Sequence, residues 1–422
     1  MVLILLLLLA GLTVLLWVMS NRFLVPEPYA LKPEFELGTV AQGQAGEYEV
    51  ALPVLENPNQ FAEVDKDGIF NLLWEDGYGS LGPVTRQGDG WVVRPVSDIV
   101  GIPPREGVPA RLDTGIYKRN PQEDHGIPYE ELRLQSDAGD LRAWWMEGGG
   151  ERAVLMLHGR RRGDLSQRQV RRPEQREQRR HPVPADAGEQ DRLEAAARAG
   201  GEHGRRRGDL TETLRITPTL VDEGWSVLSV AYRNHDRSAP SPDGFYHYGQ
   251  AEYRDALAGL DFLALQGVRE VVLYGFSMGG AVSLETIKRW PADGPRLLGL
   301  VMDAPLLDPR TVFAHVALRG TPSIPGPLVD MALFMARLRS GIDWKELDQR
   351  RYADQLEVPV LLITGTADDT IPVSLVDEFA ERVRSPITYL RLDGAEHVEA
   401  WNRYPTEYEG AVREFLGRFI ND

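Results

Sequence analysis

The 422-residue chain contains no cysteine. That absence excludes disulfides, thiolate metal sites, a cysteine nucleophile and a lipid-modified cysteine near the N-terminus. Positive charge is in deficit too: 47 Lys and Arg stand against 63 Asp and Glu, a formal net charge of −16. So acidic a body argues against sequence-independent nucleic-acid binding, which draws its affinity from neutralising phosphates, and no nucleic-acid partner is expected. Charge of either sign is missing from residues 2–19, VLILLLLLAGLTVLLWVM. About 18–20 apolar residues suffice for a helix to cross the hydrocarbon core. A cleaved signal peptide is the rival reading. However, no Lys or Arg precedes the run, and SNRFLVPEP follows it without an A-x-A-like cleavage site. Residues 1–20 are therefore read as a single-pass anchor, with Trp17 at an interface position. Arg22 and Lys32 beyond the span lean towards a cytoplasmic body, and the side stays open.

Hydrophobic residues make up 42% of the chain, enough for one large catalytic domain and something smaller. Residues 21–45 carry Pro, Glu and Gly without periodicity and read as a stalk. Residues 46–118 hold short alternating runs, YEVALPV, IFNLLWEDGYGSLG and GWVVRPV, and read as a small β-rich domain, a spacer or a binding unit. From 129 to 422 the pattern changes. YEELRLQ and LRAWWME flank SDAGD as a hairpin, and AVLMLHG, WSVLSVAYRN, EVVLYG, RLLGLVMDAP, VPVLLITG and PITYLRLDG read as strands. Helical runs alternate with them, including TETLRITPTLVDEG, AVSLETIKRW and TEYEGAVREFLGRFI. Continuously apolar strands alternating with helices predict a mostly parallel sheet covered on both faces, an α/β domain. Residues 306–345, which include LVDMALFMARL, interrupt the strand order and read as a short cap or a packing helix.

The chemistry-bearing motif is VVLYGFSMGG, in which Ser277 sits in Gly275-Phe276-Ser277-Met278-Gly279. A G-x-S-x-G between a strand and a helix is a nucleophile elbow: a tight turn projects the hydroxyl, and small neighbours let strand and helix approach. A serine nucleophile needs a base, and the base an orienting carboxylate. Only His315 and His397 lie downstream of Ser277. His397, in LDGAEHVEAW just past the last strand, is the candidate base, and His315, in TVFAHVAL, is read as structural. GTADDTIP follows a strand, and Asp368, three residues after Gly365, is the candidate acid. Asp369 is read as a capping residue, and Asp303 in VMDAP as a loop-start hydrogen-bonding residue.

These motifs, HG at 158–159, GFSMGG at 275–280, GTADDTIP at 365–372 and GAEH at 394–397, occur in the order and on the elements of the α/β-hydrolase superfamily. The chain from about 129 to 420 resembles that superfamily, and in particular bacterial membrane-anchored serine hydrolases of esterase, lipase or serine-peptidase type. The resemblance implies the α/β-hydrolase fold behind a transmembrane helix and a small β-rich region. It also implies a two-step acyl transfer by Ser277, His397 and Asp368 on an ester-type acyl substrate, and placement at a membrane makes a lipid-like one a candidate. Backbone N–H groups of Met278 and Arg160 would hold the oxyanion, with Gly275, Gly279 and Gly159 shaping elbow and loop, and no metal or cofactor is called for. Two other readings stay open: a non-catalytic membrane-tethered scaffold on the same fold, and an acyltransferase or serine peptidase with the same triad.

One feature is foreign to that pattern. The octamer HGRRRGDL occurs at 158–165 and again at 203–210. The first copy follows the strand AVLML, so His158, Gly159 and Arg160 should hold the site position, whereas the helix expected next follows the second copy. Residues 166–210 thus read as an insertion, rich in Arg, Gln and Glu and too poor in apolar residues to bury a core. It is expected to be disordered and without a dedicated role. A basic arm for anionic head groups, or a disturbance of the oxyanion loop, are the alternatives.

Overall fold

The computed structural model describes residues 2–26, 33–43, 46–54, 64–160, 209–319 and 323–419. The insertion 166–210 falls outside them except for Asp209 and Leu210. Helix α1 spans Val2–Leu24. Strands β1 (Phe35–Glu36), β2 (Val40–Gln42), β3 (Tyr48–Pro53), β4 (Phe70–Trp74), β5 (Gly77–Leu81), β6 (Arg86–Gly88), β7 (Trp91–Gly101) and β8 (Pro109–Asp113) form one sheet. Its order is β1-β8-β4-β5-β7-β3-β2, with β6 beside β7, and every pairing is antiparallel. β7 opens with alternating buried and more exposed residues, the mark of a strand with one covered face. Val50, Leu52, Phe70, Leu72, Trp74, Val92 and Val96 fill that side. The residues from 35 to 42, expected as stalk, instead contribute β1 and β2 to this sheet. Phe35 and Leu37 are buried in its core, which draws the chain in.

A short helix α2 (Pro121–His125) leads to the second sheet. It comprises β9 (Glu130–Ser136), β10 (Gly139–Met146), β11 (Arg152–Leu157), β12 (Ser226–Ala231), β13 (Glu270–Phe276), β14 (Arg296–Asp303), β15 (Val360–Gly365) and β16 (Ile387–Leu392). The order is β16-β15-β14-β13-β11-β12-β10-β9, with β9–β10 and β10–β12 antiparallel and the rest parallel. Two-residue alternation sorts its side chains onto two covered faces. Leu155, Leu157, Leu228, Val230 and Leu273 join one core, and Val154, Met156, Val227, Val272 and Tyr274 the other.

Helices α3 (Thr217–Asp222), α4 (Tyr253–Leu265), α5 (Met278–Ile287), α6 (Pro309–Arg319), α7 (Gly326–Ser340), α8 (Val373–Arg382), α9 (Ala400–Arg403) and α10 (Pro405–Gly417) pack around it. α4 and α5 cover the first face, while α3 and α10 cover the second. TETLRITPTLVDEG is not one helix. A 3-10 turn over Asp209–Arg215 precedes α3, and Pro218 stands in the first turn of α3, where its missing N–H would have no intrahelical partner. α6 and α7 are the segment expected as a cap.

Two departures concern the N-terminal region. The apolar helix runs past residue 19 to Leu24, and its last turns do not hang free. Leu16, Phe23 and Leu24 are buried in the α/β domain's core, and the Tyr246 N–H donates to the Leu24 carbonyl at 2.8 Å. The β-rich sheet also docks on the α/β domain: Asn402 Nδ2 donates to the Ile69 and Thr114 carbonyls at 2.7 and 2.9 Å, and the Ile69 N–H returns a bond to the Asn402 carbonyl.

Candidate active site

Strand order reverses between β11 and β13, the neighbours from which the chain winds outward in both directions. The crevice beyond the carboxyl ends of two such strands is where open α/β sheets bind ligands. β13 ends at Phe276, and Ser277 follows with φ 47° and ψ −111°, a left-handed backbone that a serine adopts only under constraint. α5 starts at the next residue, Met278, which is fully buried. Glycine is obligatory on both sides. A Cβ on Gly275 would lie 2.5 Å from the Gly279 carbonyl carbon, and one on Gly279 would lie 2.0 Å from the Leu157 carbonyl oxygen. The Ser277 N–H donates to the Asp303 carbonyl at 2.9 Å, tying the elbow to the end of β14.

Three sequence-predicted residues meet at this elbow. His397 Nε2 lies 2.9 Å from Ser277 Oγ, and His397 Nδ1 lies 2.8 Å from Asp368 Oδ2. A carboxylate accepts, so the imidazole carries its proton on Nδ1 and leaves Nε2 to take a hydroxyl proton. The other carboxylate oxygen of Asp368 accepts the N–H groups of Thr370 at 2.9 Å and Ile371 at 2.7 Å. Burial pulls the imidazole pKa down, but the charge and hydrogen bond of the Asp368 carboxylate, together with the charges of Asp303 and Glu212, outweigh it, and the net value lies above the ordinary one. Asp369 turns to the Thr370 hydroxyl at 3.1 Å, and His315 sits on α6 of the cap, so the structure brings neither to Ser277.

The first HGRRRGDL is the copy at the elbow. His158 and Gly159 continue directly from β11, and a Cβ on Gly159 would lie 3.2 Å from the Ser277 Cβ. The His158 ring stacks on Tyr232 at 4.2 Å, and the Tyr232 hydroxyl donates to the His158 carbonyl. Arg160 follows, its guanidinium over the Tyr246 and Tyr248 rings and donating to the Arg22 carbonyl at 2.9 Å. The second copy enters the described residues only with Asp209 and Leu210, at the start of the 3-10 turn.

Sequence reasoning missed the residues that support this arrangement. Glu212, buried, accepts the Gly159 N–H at 2.6 Å. It lies two residues after the segment read as an insertion and binds Gly159, seven residues before that segment, so the two flanks of the segment meet at this hydrogen bond. Arg215 donates to the Val398 carbonyl at 2.6 Å and so holds the loop beyond His397, where Val398 itself has φ 54°. From the β-rich sheet's side, buried Lys66 pairs with Glu399 at 2.5 Å and Glu396 at 3.3 Å, the residues flanking His397. Burial pushes the Glu396 carboxyl up to about 7. Among the described residues no cluster of three or more His, Asp or Glu is arranged to hold a metal ion.

A profile of the alpha/beta hydrolase family matches residues 203–417, just over half of the chain. The chain belongs to the alpha/beta hydrolase family. The match begins at His203, the head of the second octamer, although in three dimensions it is His158-Gly159 that end the hydrolase strand. Among curated proteins, YqkD of Bacillus subtilis is 26% identical over 219 residues, 51% of this chain and 69% of that protein. YfhR of Escherichia coli is 25% identical over 244 residues, 57% and 76% respectively. Solved hydrolases are similar in fold. An esterase of Pyrococcus furiosus has 20% identity and a TM-score of 0.48 over 72% of this chain and 95% of its own. A serine hydrolase of Xanthomonas campestris, described as lacking a lid, has 15% identity and a TM-score of 0.41 over 69% and 94%.

Proposed function

We infer that this hydrolase is a serine hydrolase, held at a membrane by α1, that cleaves ester-type acyl compounds. The observation that carries the reading is the unbroken series Ser277 Oγ, His397 Nε2, His397 Nδ1 and Asp368 Oδ2, with separations of 2.9 and 2.8 Å, at the switch point of the sheet. Ser277 attacks the carbonyl carbon while His397 takes the hydroxyl proton. Asp368 fixes the imidazole tautomer and stabilises its charged form. Collapse of the tetrahedral adduct returns the proton to the leaving alkoxide. A water molecule, deprotonated by His397, then releases the acid from the acyl-serine. The N–H groups of Met278 and Arg160 are the assigned oxyanion donors. Gly159, held by Glu212, sets the path of the loop that carries the second of them.

Substrate preference follows from the surroundings. The apolar segment leading into α6 is tied to the elbow, the Leu306 N–H donating to the Ser277 carbonyl at 2.9 Å. An apolar neighbourhood of this kind suits an apolar acyl group, and α1 suits a lipid-like one. The test is hydrolysis of a short-chain nitrophenyl ester by the intact protein and by Ser277→Ala. Turnover that survives the substitution would place the nucleophile elsewhere, and none in the folded intact protein would remove the reading and favour the scaffold alternative. Product analysis with added alcohols separates hydrolysis from acyl transfer to an alcohol.

A further inference from the structure

The cap turns large apolar side chains outward. On α7, Val329, Ala332, Leu333 and Ala336 face the core, yet Met331, Phe334 and Leu338 are 41%, 61% and 65% exposed. Their i, i+3, i+7 spacing places them on one stripe of the helix, opposite the core-facing residues. Asp330 and Arg337 occupy a separate exposed stripe and pair with Arg310 and Asp343. On α6, Val316 and Leu318 are exposed as well.

The neighbour of α7 says what covers this stripe. Leu12, Leu16, Met19, Phe23 and Leu24 of α1 join the same core as Val329, Leu333 and Ala336. Arg339 at the end of α7 donates to Asn21 Oδ1 at 2.7 Å and to the Trp17 carbonyl at 3.2 Å, and its guanidinium lies 4.5 Å from the Trp17 ring centroid. A Trp–Arg pair with an apolar body and a charged tip is at home at head-group level. The exposed residues 3–9 of α1, Ile4 among leucines, continue from there without a charge. A helix needs about 20 residues to cross hydrocarbon, and about the last ten of α1 are bound to the domain. So if the free part of α1 is in lipid, α7 lies against the lipid surface.

We propose that α7, with the end of α6, is seated in the membrane: Met331, Phe334, Leu338, Val316 and Leu318 lie among the acyl chains of the leaflet that α1 enters, and the ester substrate reaches Ser277 from that leaflet. This rests on the membrane reading of α1. The geometry links seat to site directly, because the chain leading into the cap starts at the elbow: the Leu306 N–H donates to the Ser277 carbonyl at 2.9 Å. Charged Asp330 and Arg337 stay at head-group level, the partition seen in helices that lie in an interface.

The absence of cysteine makes the test clean. Single variants Phe334→Cys, Leu338→Cys, Leu7→Cys and Leu265→Cys of the full chain each carry one nitrobenzoxadiazole label, in phosphatidylcholine vesicles with and without doxyl-labelled lipid. Leu265 is on α4 and 85% exposed, so it reports water. Lipid quenching at 334, 338 and 7, with none at 265, is the expected result. Quenching at 7 but not at 334 or 338 keeps the anchor and overturns the seat. No lipid quenching at 7 overturns the anchor, and the seat with it.

Discussion

Asp303 and Asp368 are two carboxyl groups in nearly the same situation. Each stands at or just past the carboxyl end of one of two adjacent parallel strands, β14 and β15, each is buried, and the charge of each bears on His397. Their surroundings differ. Asp368 receives two backbone N–H groups on one oxygen and the imidazole on the other. Asp303 receives the Tyr408 hydroxyl at 2.9 Å on Oδ2, and Oδ1 is buried with no hydrogen-bond partner among the described residues. Burial accordingly raises the Asp303 pKa to about 6, against the pull of Arg215 and of the Tyr408 hydroxyl. What makes one of them the imidazole's partner is the turn after Gly365, which folds its own amides onto the side chain. Proximity to the site is common to both.

The largest expected effect separates the two. Asp368→Asn should lower kcat by roughly 10³–10⁴-fold with little change in KM, because an amide invites the wrong imidazole tautomer. Asp303→Asn should cost less than about tenfold, since the Tyr408 hydroxyl still finds an acceptor. Equal losses in steady-state ester hydrolysis would erase the distinction.

Glu212→Ala comes next. It frees the Gly159 N–H from its acceptor and, if the proposed oxyanion donor Arg160 is on this loop, should lower kcat by about ten- to a hundredfold by loosening it. Glu212→Gln, which keeps an acceptor, should recover most of that loss. If Gln is as poor as Ala, the carboxylate's charge matters more than its position.

Lys66→Met acts on the loop that both carboxylates share. Leaving Glu396 and Glu399 buried without their cation should cost about 3 kcal/mol of stability, read by thermal unfolding. Its effect on kcat should stay under about tenfold, because the relay itself is intact. A loss of activity as large as that of Asp368→Asn would mean that the β-rich sheet is part of the catalytic device.

The smallest effect is a displacement along the pH axis. Catalysis needs His397 neutral, and its pKa is raised, so the acid limb of kcat/KM should lie above the usual imidazole value of about 6.5. The negative charge of Asp303 is one of those that hold it up. Removing that negative charge in Asp303→Asn favours the neutral imidazole, so the limb should move to lower pH. A limb that stays put or moves to higher pH would show that Asp303 carries no charge near His397 in the working enzyme.

Much of this site is legible in one dimension because its parts are local. A strand running into Gly-Phe-Ser-Met-Gly and a helix, an acid three residues past a strand's glycine, and a histidine after the last strand are each visible within ten residues. The fold class was legible for the same reason, from continuously apolar strands alternating with helices. Glu212 was hidden inside a run that reads as helix, and only Pro218 hints that it is a 3-10 turn followed by a short helix. Lys66 braces His397 from more than three hundred residues away, and no local pattern marks such a partner. The docking of α1 was invisible for another reason. A helix apolar on every side has no stripe to show which side is taken, so Leu16, Phe23 and Leu24 look like their lipid-ready neighbours.

The central claim is that Ser277 is an activated nucleophile in a site closed across the inserted segment. Covalent labelling by a fluorophosphonate tests it most directly, on the intact chain, on Ser277→Ala and on a variant lacking residues 166–210. Labelling of the intact chain and of the deletion variant, abolished in Ser277→Ala, is the predicted result. Labelling of the deletion variant alone would show that the insertion disables the site, and labelling that persists in Ser277→Ala would place the nucleophile elsewhere. Either would contradict the account.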